Sequence, residues 1–144
     1  MKRRLLSLLL AAVMLLSLVP GAAAAQSGAQ TTAQQAADAL HSLGLFQGTG
    51  TNADGSPIYA LERSPSRLEA LTMLVRVLGQ EKQALASASA HPFTDVQPWA
   101  DAYVGYAYQS GLTKGTSPTS FGSGNVDAAQ YLTFVLRALG YSDG

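Results

Sequence analysis

Two four-residue motifs stand just ahead of apolar runs: Ser66-Arg67-Leu68-Glu69 and Asp127-Ala128-Ala129-Gln130. A Ser or Asp three residues before a Glu or Gln is the pattern of a capping box, in which the two ends of the motif satisfy each other's backbone N–H groups. Capping is therefore the ordinary role of Glu69. Arg67 has no such role. With Arg67 at 0° and about 100° per residue, Leu68, Leu71, Leu74, Val75, Val77 and Leu78 span an arc from about 280° through 0° to about 100°. Glu69, Thr72 and Arg76 fall near 140° to 200°. A guanidinium on the apolar side of a helix start, beside free N–H groups and the positive end of the helix dipole, suits an anion such as a carboxylate. The alternative is that Arg67 pairs with a structural carboxylate or stretches to the rim of the core. The second motif has Ala128 at this position and lacks the cation.

Other chemistry is thinly represented. Trp99, Tyr103 and Tyr106 could stack on a sugar face, although an aromatic stripe at this spacing also makes core. His41 and His91 have no acidic companions at ligand spacing, so no metal is expected. Asn52-Ala53-Asp54-Gly55 resembles part of a calcium loop, but Leu61 stands where a bidentate Glu is needed, and a turn is the better reading. There is no Gly-x-Ser-x-Gly elbow, phosphate-binding Gly-Lys-Ser/Thr loop or His-Glu-x-x-His pair, and the chain is not expected to be an enzyme or to need a cofactor. Arg76 and Arg137 lie on polar faces and read as solvated or paired charges.

The elements that must position Arg67 are helices. The periodicity predicts one from Ala33 to a stop at Gly44, a second from Ser66 to Leu78 closed by Gly79, a third from Pro98 to Gly111, and a fourth from Asp127 to Leu139 closed by Gly140. A Gly-rich loop over 48–55 and a short extended piece at 58–61 separate the first two; Gln80 to Ala90 is a helical extension or a linker. The chain also repeats itself. Gly44 and Gly48 match Gly111 and Gly115 at an offset of 67, and Leu74 to Gly79 matches Val135 to Gly140 at an offset of 61. Asn52 to Pro57 accounts for the difference as an insertion. Two copies of helix, loop, helix are expected, and such copies need neighbours to bury their faces.

The 144 residues carry 9 Lys+Arg and 9 Asp+Glu, no Cys, and 47% hydrophobic residues. Lys2, Arg3 and Arg4 precede an uncharged stretch from Leu5 to Val19 and the small-residue run Ala22 to Ala25, which together read as a cleavable secretory leader. Cleavage after Ala25 leaves 144 − 25 = 119 residues with six bases and nine acids, net −3. That balance argues against nucleic acid, and no membrane association is expected once the leader is removed. Without Cys there are no disulfides, so the fold must hold by packing. The expected organisation is a leader over 1–25, a flexible lead over 26–35, a first partial repeat over 36–79, a linker over 80–92 and a second repeat over 93–144.

Phe93-Thr94-Asp95-Val96, then Trp99-Ala100, a helix ending at Gly111-Leu112, a Gly115 loop with Phe121, and a helix ending Leu136-Arg137-Ala138-Leu139-Gly140 resemble a surface-layer homology (SLH) repeat. Residues 36–79 look like a second copy that lacks the Phe-x-Asp-Val and Trp opening. The resemblance implies a mainly α fold of tandem repeats, usually three around a pseudo-threefold axis. It also implies noncovalent attachment of a secreted bacterial protein to pyruvylated secondary cell-wall polysaccharide. The family's Thr-Arg-Ala-Glu motif falls on Ser66-Arg67-Leu68-Glu69, so its ligand-contacting Arg maps to Arg67. On this reading Arg67 contacts the carboxylate, the helix start at Ser66 supplies N–H donors beside Glu69, and Asp95 with Trp99 shapes the pocket or its packing. The repeat count also suggests self-association or pairing with another SLH protein, and an alternative is a structural or protein-interaction protein that has lost glycan binding, as Ala128 would allow.

Overall fold

The computed structural model describes residues 26–87 and 90–141; the leader and its cleavage site lie outside them. The chain divides into two units, 1–35 and 36–144. Helix α1 spans Gln26–Ser42, so it begins seven residues before the expected Ala33 and takes up the segment read as a flexible lead. That segment holds no Pro and several Ala and Gln, which favour a helix once one is nucleated alongside. The hairpin β1 (Gly50–Thr51) and β2 (Pro57–Ile58) is antiparallel, with Gly50 opposite Ile58. Its turn is tied by Asp54, which accepts from the N–H and hydroxyl of Ser56 at 2.9 and 2.6 Å. The 52–55 segment is thus a turn, as its sequence suggested.

Helix α2 (Arg67–Val77) starts on a complete capping box: the Glu69 N–H donates to Ser66 Oγ, and the Ser66 N–H donates to the Glu69 carboxylate. Helix α5 (Ala128–Ala138) has only half of one. Asp127 accepts from the Gln130 N–H at 2.7 Å, while Gln130 Oε1 is buried with no partner. The expectation of two equal boxes therefore holds for the first alone. Between them lie α3 (Glu81–Ala86), a 3₁₀ turn (Pro98–Ala100) and α4 (Asp101–Gln109). Each helix stop falls on the expected glycine. At Gly111 (φ 76°) the left-handed residue lets the Leu112 N–H return to Ala107 O at 2.8 Å, and the Leu112 side chain is buried.

Helix α2 is the centre of the packing and meets α3, α4 and α5. Leu68, Leu71, Leu74 and Val75 are buried on it, as are Val104 and Ala107 of α4. The side of α2 expected to be polar is also covered: Thr72 is buried, and Arg76 is half-buried because α4 lies over it. There Arg76 donates to Glu81 Oε1 (2.8 Å) and to the Tyr103 hydroxyl (3.2 Å), and that hydroxyl donates to Glu81 (2.6 Å). Arg76 is thus paired. The 80–92 segment, expected to be a linker, contains α3, docked on α4 with Ala84 fully buried.

The two loops correspond in detail. The Thr49 N–H bonds to Ile58 O (2.7 Å), and the Thr116 N–H bonds to Ser120 O (2.8 Å). A Cβ on Gly48 or on Gly115 would collide with those same two oxygens. Ile58 thus corresponds to Ser120, Tyr59 to Phe121 and Ala60 to Gly122. Both last residues are left-handed, with φ 50° at Ala60 and 94° at Gly122. This conformation strains a residue with a Cβ by about 1 kcal/mol or more, but not glycine. Ala60→Gly is therefore expected to raise the unfolding free energy by about 0.5 kcal/mol after the entropic cost of glycine. Gly122→Ala should lower it by about 2 kcal/mol, since its Cβ would also meet the Thr116 side chain at 2.8 Å. Urea midpoints of the two variants check both signs.

Candidate functional site

Arg67 is 7% exposed at the start of α2. Its backbone N–H donates to Gly124 O at 2.9 Å, and the Val126 N–H donates to Pro65 O at 3.0 Å, so a short antiparallel seam joins the helix start to the 121–126 loop. The side chain runs under that loop. Nε donates to Phe121 O at 3.0 Å, and the guanidinium carbon lies 5.1 Å from the Phe121 ring centre and 4.6 Å from that of Phe134. Both rings are fully buried and stack at 6.4 Å. The cation is held against two π-faces, an arrangement that favours a positive charge by about 1 to 2 kcal/mol when desolvated.

Arg67 takes part in no ion pair among the described residues, so pairing with a structural carboxylate is not its role. Its terminal nitrogens have no described partner and keep some contact with solvent. Burial lowers its pKa; the neighbouring charge of Arg137 lowers it further and Asp127 opposes this. An arginine remains protonated under such shifts. The result is a fixed, charged fork with unused donors at the edge of an aromatic clamp.

Asp95 builds the clamp. Its carboxylate accepts from Ser120 Oγ (2.7 Å), the Phe121 N–H (2.7 Å) and the Gly122 N–H (2.9 Å). Partial burial pushes this carboxyl up, but the three hydrogen bonds outweigh it and bring it from 3.8 down to about 2. Asp95 therefore sets the position of Phe121, whose carbonyl and ring then receive Arg67. Phe93, two residues earlier, packs edge-on against Phe121 at 6.0 Å.

The other expected site residues divide. Ser66 and Glu69 are occupied by the cap, and Glu69 also takes both terminal nitrogens of Arg63 at 2.9 and 2.6 Å. The Arg63 bonds hold the Glu69 carboxyl at about 2, aided by the Ser66 backbone and hydroxyl against partial burial. Three of the N–H groups at the Ser66 helix start are committed within the protein: Ser66 to Glu69, Arg67 to Gly124 and Glu69 to Ser66. Trp99 is 49% exposed, with its indole N–H on Gln97 Oε1 at 2.7 Å, whereas Tyr103 from the same stripe is buried. The sequence did not foretell the parts played by Phe134 and Arg137. Phe134 carried no signal beyond apolar periodicity, and Arg137 read as a surface charge because its proximity to Arg67 depends on how α5 crosses α2.

These features define a helical module in which a loop from the second half of the chain clamps a cation from the first. The sequence profile of the S-layer homology domain matches residues 92–122, the segment that runs from the start of Phe93-Thr94-Asp95-Val96 through α4 to the clamp loop. The chain is 30% identical over 149 aligned residues, 96% of its length, to the middle cell wall protein of Brevibacillus brevis. It is 35% identical over 97 residues, 65% of its length, to a cell surface protein of Thermoanaerobacter kivui. A surface layer protein of Brevibacillus choshinensis is 29% identical over 147 residues, 96% of this chain. Residues 92–122 thus form an S-layer homology domain within a chain similar to these surface proteins. The chain spans 14%, 13% and 13% of the lengths of these relatives. No solved structure matches it.

Two depressed carboxyls make the site acid-sensitive. A group whose pKa is lowered by folding stabilises fully above its unfolded value and loses that contribution as pH falls through the folded value. Asp95 and Glu69 are both held at about 2, so stability should fall between about pH 5 and pH 2. Asp95→Asn is expected to start about 2 kcal/mol less stable at pH 7 and to show a shallower acid decline. Urea unfolding followed at a series of pH values measures both.

Proposed function

We propose that this protein attaches noncovalently to the bacterial cell surface by binding an anionic cell-wall polysaccharide through Arg67. The observation that carries the reading is the Arg67 guanidinium itself. It is buried, clamped between Phe121 and Phe134, and free of any carboxylate partner among the described residues. A positive charge placed this way has its desolvation and orientation met before a ligand arrives, and a planar carboxylate complements its remaining donors. Pyruvylated sugars supply such a carboxylate. The family, and the names of the relatives as cell wall and surface layer proteins, agree with a surface location and a role in attachment rather than turnover.

Within this reading Asp95 acts through the clamp loop and Ser66 with Glu69 through the helix start, so these three position Arg67. Trp99 offers an exposed indole for stacking on a sugar ring. Residues 36–79 are a degenerate counterpart of the second half.

The test is cosedimentation with isolated cell walls, before and after the secondary polysaccharide is stripped. Arg67→Met keeps an apolar stem between the rings and removes the charge; its fold is checked by near-UV circular dichroism. Loss of a charge-assisted contact of about 1.5 to 3 kcal/mol corresponds to binding weakened by about tenfold to a hundredfold. Added salt should weaken the wild type in the same direction. Wall binding that survives both stripping and the variant would overturn the glycan reading.

A further inference from the structure

Helix α5 carries an exposed apolar stripe: Leu132 is 50%, Leu136 41% and Leu139 44% exposed. At the 61-residue offset these positions correspond to Leu71, Val75 and Leu78 of α2, where Leu71 and Val75 have no exposed surface at all. The cause of the difference is the next helix of the repeat. α2 is covered by α4, whose Tyr103 meets Arg76 at the margin of the contact, and no such helix covers α5 among the described residues. The counterpart of α4 in the first half is α1, since Gly111 and Gly44 close the two helices at an offset of 67. Ala107, fully buried in α4, corresponds to Leu40, which is 39% exposed, and Leu43 one turn later is 69% exposed.

Among the described residues one contact of this kind is made and two complementary surfaces are left, an α5 stripe without a helix laid over it and an α1 end without a helix beneath it, on which Ala37 is buried but Leu40 and Leu43 are exposed. We infer that a second copy of this chain lays the 36–42 part of its α1, with Leu43 just beyond it, on the α5 stripe, repeating between molecules the α2–α4 contact made within one. The two surfaces differ, so the contact is heterologous: each copy receives on α5 and donates from α1, which generates a ring or an open string rather than a closed face-to-face dimer. Both surfaces centre on Leu side chains, so the net −3 expected after leader cleavage does not oppose their approach. Neither includes Arg67, and association is measured independently of wall binding.

Sedimentation equilibrium of the purified secreted chain tests this, with Leu136→Glu and Leu43→Glu as variants. Both sites are exposed, so neither change disturbs the core, and far-UV circular dichroism verifies that helix content is unchanged. The expected wild-type average mass rises with concentration beyond that of a dimer, or plateaus at a small ring. Each variant alone stays monomeric, because one of its two surfaces is blocked. An equimolar mixture of the variants should double in mass, since the intact α5 of one accepts the intact α1 of the other. A wild type that stays monomeric at all concentrations overturns the inference and leaves the stripe to a different partner. So does association that either variant leaves intact, or a mixture that fails to dimerise, which would indicate a symmetric interface.

Discussion

The clamp on Arg67 ties the start of α2 to the 121–126 loop and to α5. One side chain from the start of α2 crosses under the 121–126 loop, bonds to its backbone and lies against two stacked phenyl rings from the loop and from α5. Burying a cation without a counter-ion is ordinarily costly. Here the carbonyl of Phe121, the ring faces and the remaining solvent contact of the terminal nitrogens offset that cost. The loop in turn depends on Asp95, which gathers two consecutive N–H groups and a hydroxyl. A carboxylate from before α4 thus fixes a loop after it, and the loop fixes a cation from the other half.

The correspondence between halves shows which features the clamp requires. Gly122 adopts a left-handed conformation and passes close to Thr116 and the Arg67 stem, and a Cβ there would crowd Thr116. At the corresponding place in the first half stands Ala60, whose φ of 50° strains its Cβ. Tyr59 takes the place of Phe121 and stacks on Phe46 at 5.2 Å, its hydroxyl bonded to Asp38. The first half thus keeps the shape of the loop and replaces its cation-receiving parts. Position 128, at the start of α5, is Ala, so the first half supplies the cation and the second the receiving loop.

Much of this was legible from sequence where the signal was local. The helix stops at Gly79, Gly111 and Gly140, the cap at Ser66 and the turn at Asp54-Gly55 follow from backbone chemistry that neighbouring residues dictate. Arg67 stood out because a charge on an apolar arc has few ordinary explanations. Contact across the chain was not legible. Thr72 and Arg76 sat on the polar arc, yet α4 covers them, because a helix packed on three sides has no solvent face. The 80–92 segment lacked periodicity over its short length, and its helix exists by docking Ala84 and by the Glu81 link to Arg76 and Tyr103. Trp99 matched the spacing of Tyr103 but precedes the α-helix in a 3₁₀ turn, where the geometry differs from about 100° per residue and the indole projects outward. Likewise Asp127-Ala128-Ala129-Gln130 has the letters of a capping box, and whether the Gln side chain closes it is settled by packing around α5.

A single clamped guanidinium also bears on how the proposed attachment could hold. One charge-assisted contact of about 1.5 to 3 kcal/mol, even with stacking from an exposed indole, is far short of the free energy that retention on a wall requires. Polysaccharides, however, present the same anionic group many times along one strand. If copies of the protein associate through α5 and α1, each bound Arg67 raises the local concentration of the next, and avidity grows by orders of magnitude without any change in the site. The site then need only be selective and correctly oriented, which is what a rigid aromatic clamp provides; strength comes from number.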